Sequence, residues 1–270
     1  MRPGTNPDSM TTSIPQPAAT VTLVRDTPRG VEVLMLRRSL SLKFMPGVHV
    51  FPGGGLDPAD SSAEMHRLCI GMDDDAASRT LGMARGGLGY WIAAIREAFE
   101  EAGILLAYDA GGKIVSTNGE AAGRYLAHRR SLDERHGDFG AIVRGEGLRL
   151  AADRLTYFGH WITPVTVPRR YDTRFFLAVA PEHQTAMHDN HETIDHVWVR
   201  PQEALDRCAQ ETLNMRFPTI KTLERFAACS TAAELVAELR SSPVGRALLP
   251  RITPDGRTLL PGDEGYEEQG

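Results

Sequence analysis

The chain has 270 residues, 41% hydrophobic and 24% charged, with 30 basic against 35 acidic side chains and a formal net charge of -5. That is the composition of a globular domain long enough to bury a large core. It argues against nucleic-acid binding through a broad basic face, so an anionic substrate would have to be met by metal ions or a few placed arginines.

Residues 1–18, rich in Pro, Thr and Ser, read as a disordered lead-in without the apolar core of a signal peptide. Two apolar runs follow, Val21 to Val24 and Val31 to Leu36, joined by the turn Thr27-Pro28-Arg29-Gly30, which predicts a hairpin. Val48 to Phe51 reads as a short strand stopped by Pro52-Gly53-Gly54-Gly55, since successive glycines do not continue a strand cheaply but let backbone approach a ligand. Residues 90–102 form the clearest helix: Trp91, Ile95, Ala98 and Ala102 make an apolar stripe, and Gly103 stands at the expected C-terminal position.

Residues 121–155 read as helical, interrupted by glycines. Strands are predicted at 157–163, 173–179 and 194–199, followed by helices within 201–240 and an acidic, frayed tail at 261–270. The order predicts an α/β sandwich with helical insertions, one domain over residues 19–260. Cys69, Cys208 and Cys229 are too few and scattered for a disulfide framework or a zinc site, and free thiols fit a reducing, cytoplasmic setting. No apolar run approaches the roughly 20 residues of a membrane span.

Arg96-Glu97-Ala98-Phe99-Glu100-Glu101-Ala102-Gly103-Ile104 carries the chemistry. Helical spacing brings Glu97, Glu100 and Glu101 to one face, away from the stripe. Clustered carboxylates repel unless a cation sits among them, and hard Mg²⁺ or Mn²⁺ suits carboxylate oxygens and substrate phosphates. Arg96 can pair with Glu100 one turn on. Three glutamates alone would be an ordinary solvated acidic face; the glycine-rich turn upstream and the full pattern favour the metal.

That pattern resembles the Nudix signature: Gly, five residues, Glu, seven residues, then Arg-Glu-U-x-Glu-Glu-x-Gly-U, with U a bulky aliphatic residue. Arg96 to Ile104 matches the second half, with Ala98 small for its U slot. Phe51-Pro52-Gly53-Gly54 matches the opening, and Asp60 stands where the family has Glu. Residues 61–95 separate Asp60 from Arg96, roughly 28 more than the family has. The interrupted box looks like the peroxisomal acyl-coenzyme A diphosphatase branch. The spacing of Leu34-Met35-Leu36-Arg37-Arg38-Ser39, Lys43 and Gly47 is similar to a motif of Nudix coenzyme A diphosphatases, with Leu36 for Thr and Lys43 for Arg.

The resemblance implies an α/β/α sandwich around a mixed sheet, with metal held by Glu97, Glu100, Glu101 and the Gly53 carbonyl. It implies hydrolysis of a nucleoside diphosphate conjugate, coenzyme A or acyl-coenzyme A, to 3',5'-ADP and (acyl-)4'-phosphopantetheine. Glu97, Glu100, Arg96 and Glu192 are the candidate catalytic residues, Glu192 as base or further ligand. Arg38, Lys43, Gly54, Arg170 and Arg174 are the candidate substrate contacts, because guanidinium matches phosphate oxygens. The alternatives are hydrolysis of ADP-ribose or NADH, or a non-hydrolytic Nudix sensor or isomerase, against which the intact Glu pairs weigh. The insert 61–89, with 121–155, is expected to form a cap that selects substrate. His183, His188, His191 and His196 fit no compact zinc set. Asp73-Asp74-Asp75 reads as a solvated loop or a helix cap. A homodimer is left open.

Overall fold

The computed structural model describes residues 13–42, 45–134, 136–189 and 191–266. The elements in chain order are β1 (Gln16–Thr27), β2 (Gly30–Arg38), β3 (His49–Val50), β4 (Gly53–Gly55), α1 (Ala63–Arg67), β5 (Cys69–Ile70), α2 (Asp74–Leu81), α3 (Leu88–Ala102), β6 (Ala107–Tyr108), α4 (Ala122–Asp133) and α5 (Phe139–Gly145). There follow β7 (Arg149–Ala151), β8 (Thr156–Ile162), β9 (Tyr171–Val179), β10 (Thr193–Val199), α6 (Pro201–Ala209), α7 (Phe217–Phe226), α8 (Ala232–Ser241), β11 (Arg251–Ile252) and β12 (Thr258–Leu259).

The main sheet runs β10-β2-β1-β9-β8, with β3 beside β2 and β4 beside β1. β1 is parallel to β9, and the other pairings are antiparallel, so the sheet is mixed. Alternation along each strand divides two cores. Val21, Leu23, Leu34, Leu36, Phe176 and Ala178 face α3 and the inserted segments. Val24, Val33, Met35, Phe175 and Leu177 face α6, α7 and α8. This is the expected α/β/α sandwich.

Three expectations need correction. β1 starts at Gln16, inside the predicted lead-in, because its first residues pair with Tyr171 to Thr173, a long-range partner that no local pattern reveals. Gly53–Gly55 is a strand rather than a stop, since it pairs with Ala18, Ala19 and Thr20. The expected tail is tethered as far as Tyr266, whose hydroxyl donates to the Leu249 carbonyl at 2.8 Å. Residues 1–12 and the last four positions of that tail lie outside the described residues, as does Lys43.

The insert is built into the domain. Its β5 pairs parallel with β7, at the end of the segment 121–155, and β6 completes a second small sheet. Met65 and Ala77 join the core beneath α3. The insert also caps that helix. α3 has no side-chain N-cap of its own. Asp74 accepts from the N–H groups of Gly86 (2.9 Å) and Leu88 (3.0 Å), and Ser78 Oγ accepts from Gly87 N–H (2.9 Å). Helix starts leave such donors unsatisfied, and here residues of the insert satisfy them. Asp73 caps α2, accepting from Ala76 N–H at 2.7 Å, as its sequence position suggested.

Candidate active site

α3 spans two turns of apolar contact before its charged end. Trp91, Ile95, Ala98 and Ala102 are at most 1% exposed, which fixes the helix against the sheet and turns Glu97, Glu100 and Glu101 towards β4. Gly103 ends the helix at φ 70°, with Ile104 N–H donating to the Ala98 carbonyl at 3.1 Å. β4 passes so close that only glycine fits. A methyl group at Gly53 would lie 2.6 Å from the Ala19 carbonyl oxygen, and one at Gly54 would lie 2.5 Å from Glu97 Oε1.

Arg96 is the hub of the charged cluster. Its guanidinium grips Asp60 through Nε (3.1 Å) and Nη2 (2.9 Å), and Nη2 also donates to the Gly55 carbonyl at 2.9 Å. Nη1 donates to Glu97 at 2.7 Å and to Glu100 at 3.1 Å. Asp60 is held in turn by the Asp57 N–H at 2.8 Å, within a capping box. Burial opposes the charge on Arg96, but the Asp60 hydrogen bonds and the charges of Glu97, Asp60 and Glu100 outweigh it and raise its pKa. The arginine is permanently charged.

Glu101 has no such partner. It accepts from the Gly53 N–H at 3.0 Å, and among the described residues no cation pairs with it. Burial, then the charge of Glu97, lifts its carboxyl well above the ordinary carboxylate range, with Glu192 and Asp189 adding to the shift. Burial likewise raises Glu97 against the pull of Arg96, and pushes Glu100 up to about 7. Buried like charges of this kind need a proton or a cation among them. Carboxylate oxygens are also what hard divalent cations bind, so the donor set suits one. Among the described residues no three His, Cys, Asp or Glu side chains are gathered ready for a metal. Glu97 and Glu100 turn to Arg96, and Glu101 turns to Gly53.

Comparison with known proteins shows the family. Residues 73–226 match the family model described as the NUDT19 Nudix domain. The chain is 32% identical over 88% of its length to the acyl-coenzyme A diphosphatase NUDT19 of Homo sapiens, covering 73% of that protein. It is 32% identical over 89% of its length to the Gallus gallus protein of the same name, covering 74% of it. The chain belongs to the Nudix family. Its fold is similar to that of a Nudix hydrolase from Alicyclobacillus acidocaldarius, with a TM-score of 0.68 and 29% identity over 83% of this chain and 96% of that one. Nudix diphosphatases act with divalent metal, and no helix among the described residues is long and apolar enough to cross a membrane.

Around the Nudix helix, the remaining candidate residues divide. The Glu192 carbonyl accepts from Ser39 N–H at 2.8 Å, and the Glu192 charge acts on Glu97 and Glu101, so this loop stands beside the carboxylates. Arg38 lies next to it at the end of β2, with its buried Nε unpaired among the described residues. Arg174 shares a cross-strand row with Ala19 and Gly54, but it is 6% exposed and paired to Asp172 and His160, with its guanidinium 5.2 Å from the Tyr90 ring centre. Arg170 donates from Nε to the Thr163 carbonyl and from Nη1 to the Ser13 carbonyl, both at 3.0 Å. Both arginines already have protein partners. His188 and His196 face each other, Nδ1 to Nδ1 at 3.0 Å, and among the described residues no third His, Cys, Asp or Glu joins them as a metal-binding group.

Two residues of the site have no signal in the sequence. Asp189 folds its loop by accepting from the N–H groups of His191, Glu192 and Thr193 at 2.6, 2.9 and 3.0 Å. Arg129 reaches from α4, 5% exposed, and donates to the Glu100 carbonyl at 3.2 and 2.8 Å. A cation at a helix C-terminus satisfies orphan carbonyls, and this one also lies near enough to act on Glu101 and Asp189.

Proposed function

We propose that this enzyme hydrolyses the diphosphate of coenzyme A or acyl-coenzyme A, giving 3',5'-ADP and (acyl-)4'-phosphopantetheine. The observation that carries the reading is the pair of buried carboxyls Glu97 and Glu101 under Gly53 and Gly54, with Glu101 unpaired by any cation among the described residues, in a chain similar over most of its length to acyl-coenzyme A diphosphatases. Mg²⁺ or Mn²⁺ is the ion we infer, held by Glu97, Glu100, Glu101 and the Gly53 carbonyl. When bound it supplies positive charge against the diphosphate and acidifies a water. Arg96 positions Glu97 and Glu100, with Asp60 behind it, and to Glu192, whose charge acts on Glu97 and Glu101, we assign the role of taking the proton from the attacking water. Glu101→Gln should lower kcat by on the order of 10²-fold while leaving the fold intact, and chelation should abolish turnover.

Coenzyme A differs from ADP-ribose and NADH in its 3'-phosphate, which calls for a cation outside the metal site. Because Arg174 and Arg170 are committed to protein partners, we assign that role to Arg38 and Lys43. Losing one charge-assisted contact of about 1.5 to 3 kcal/mol should cut kcat/KM roughly 10- to 100-fold. The loss in Arg38→Ala and Lys43→Ala should appear with coenzyme A and largely vanish with dephospho-coenzyme A. Equal losses on both substrates would remove these residues from the role, and a wild-type preference for ADP-ribose would overturn the substrate.

A further inference from the structure

A second charged cleft lies across the sheet from the carboxylates. Successive residues of β2 point to opposite faces, so Arg38 shares the face of α3 while Arg37 shares that of α6. Arg37 pairs in register with Asp195 on β10 and His49 on β3, which makes one row on that far face. Arg207, from the last turn of α6, and Glu211 and Asn214, from the turn beyond, close a cavity of about 420 Å³ over the row. Its size suits a small metabolite.

The cations of this cleft are unspent. Among the described residues neither Arg37 nor Arg207 has a side-chain hydrogen bond or an ion pair, although Asp195 and Glu211 line the same cavity. Arg37 Nε and His49 Nδ1 are buried without partners. Burial, with added repulsion from Arg37 and Arg207, holds the His49 imidazole below its usual pKa, so the ring is neutral at pH 7. Two guanidiniums facing one cavity repel each other, and their planar donors match the oxygens of a phosphate.

We propose that this cleft is a second ligand site, selective for a small phosphomonoester that also carries hydroxyl groups. Arg37, Arg207 and His49 take the phosphate, and Asp195 and Glu211 accept from the hydroxyls. Neither carboxylate could face a bare anion without repulsion, which is why the ligand needs donors of its own. The site shares no residue with the Glu97–Glu101 cluster, so its occupancy does not depend on metal or on the diphosphatase reaction.

Ribose 5-phosphate titrated calorimetrically into the 270-residue protein in EDTA reads this directly. Saturable binding is expected, with the same affinity in Glu101→Gln and about 10-fold weaker in Arg37→Gln and in Arg207→Gln. Inorganic phosphate and ribose should each bind more weakly than the ester. No saturable binding, unchanged affinity in Arg207→Gln, or loss of binding in Glu101→Gln overturns the site, and equal affinity for inorganic phosphate overturns its selectivity. Circular dichroism reports whether each variant folds. Should Arg37→Gln misfold, Arg207→Gln on the half-buried rim of the cleft carries the comparison by itself.

Discussion

Glu101 is a carboxyl with 6% of its surface exposed, three acidic neighbours and one N–H for company. Its raised pKa, with those of Glu97 and Glu100, makes stability depend on pH. The folded, metal-free protein holds protons on these groups that the unfolded chain has released, so stability falls as pH climbs from the ordinary carboxylate value towards about 7, the value reached by Glu100. Metal binding displaces those protons and is favoured as pH rises. In thermal scans with EDTA, Tm should therefore decline between about pH 5 and 7.5, and Mg²⁺ or Mn²⁺ should raise Tm more at pH 8 than at pH 5. A metal-induced gain that is flat across pH would remove these carboxyls from the metal site. Arg96 and the three glutamates were legible in sequence because one helical period relates them. Asp60 could be placed only by resemblance, since 36 positions separate it from Arg96 and only the fold brings them to 2.9 Å. Asp172 stands two positions from Arg174 in sequence, but that the two pair across one face of β9, with His160 of β8 beside them, is visible only in the fold.

β4 shows how far an element can depart from its local signal. A run of three glycines has poor strand propensity, yet it pairs with β1, and the pairing leaves no room for a side chain at Gly53 unless backbone moves, nor at Gly54 unless the Glu97 carboxylate moves. The two close approaches predict different failures. In Gly53→Ala the new methyl meets backbone, 2.6 Å from the Ala19 oxygen and 2.8 Å from the Thr20 Cα, so the strand must move. The expected cost is about 1 to 3 kcal/mol in urea denaturation. In Gly54→Ala the clash is with the Glu97 carboxylate, the movable end of a side chain. Stability should stay close to wild type while kcat falls by roughly 10²-fold, since a displaced ligand misaligns the reaction. Melts and turnover measured on both variants test this, and the reverse assignment of effects would refute it. β1 and β2 were readable from two apolar runs joined by a turn, and β8, β9 and β10 from local strand signals of their own. β5 and β7, two and three residues long, exist only through their pairing and carry no period of their own.

At the scale of the molecule, the insert within the Nudix box pairs into a second small sheet and caps the start of α3. Replacing residues 71–86 by a short flexible linker keeps β5 but removes α2 with Asp74 and Ser78, which hold the first turn of α3. A stability loss of about 1 to 2 kcal/mol is expected from the lost caps. Because the segment splits the catalytic motif, the variant should also reorder kcat/KM among coenzyme A, its acyl derivatives and ADP-ribose. If every kcat/KM fell in proportion, the insert would be a brace for the helix and no part of substrate choice. Sequence located the insert by its interruption of the motif, but its anchorage needed the fold, because β5 finds its partner some 80 residues away at Leu150 and Ala151.

The parallel pairing of β1 with β9 sets a timetable for synthesis. Gln16 lies in register with Tyr171, 155 positions later. At roughly 5 to 20 residues per second, β1 and its hairpin partner leave the ribosome about 7 to 30 seconds before β9 can follow. The early-made part includes β4 and the glycines of the catalytic centre, and during that interval the β9-facing edge of β1 offers its N–H and C=O groups to any passing strand. The hydrolase can thus mature only after β9 has been translated, and nascent chains stalled before Tyr171 are the species most exposed to aggregation and to chaperone capture.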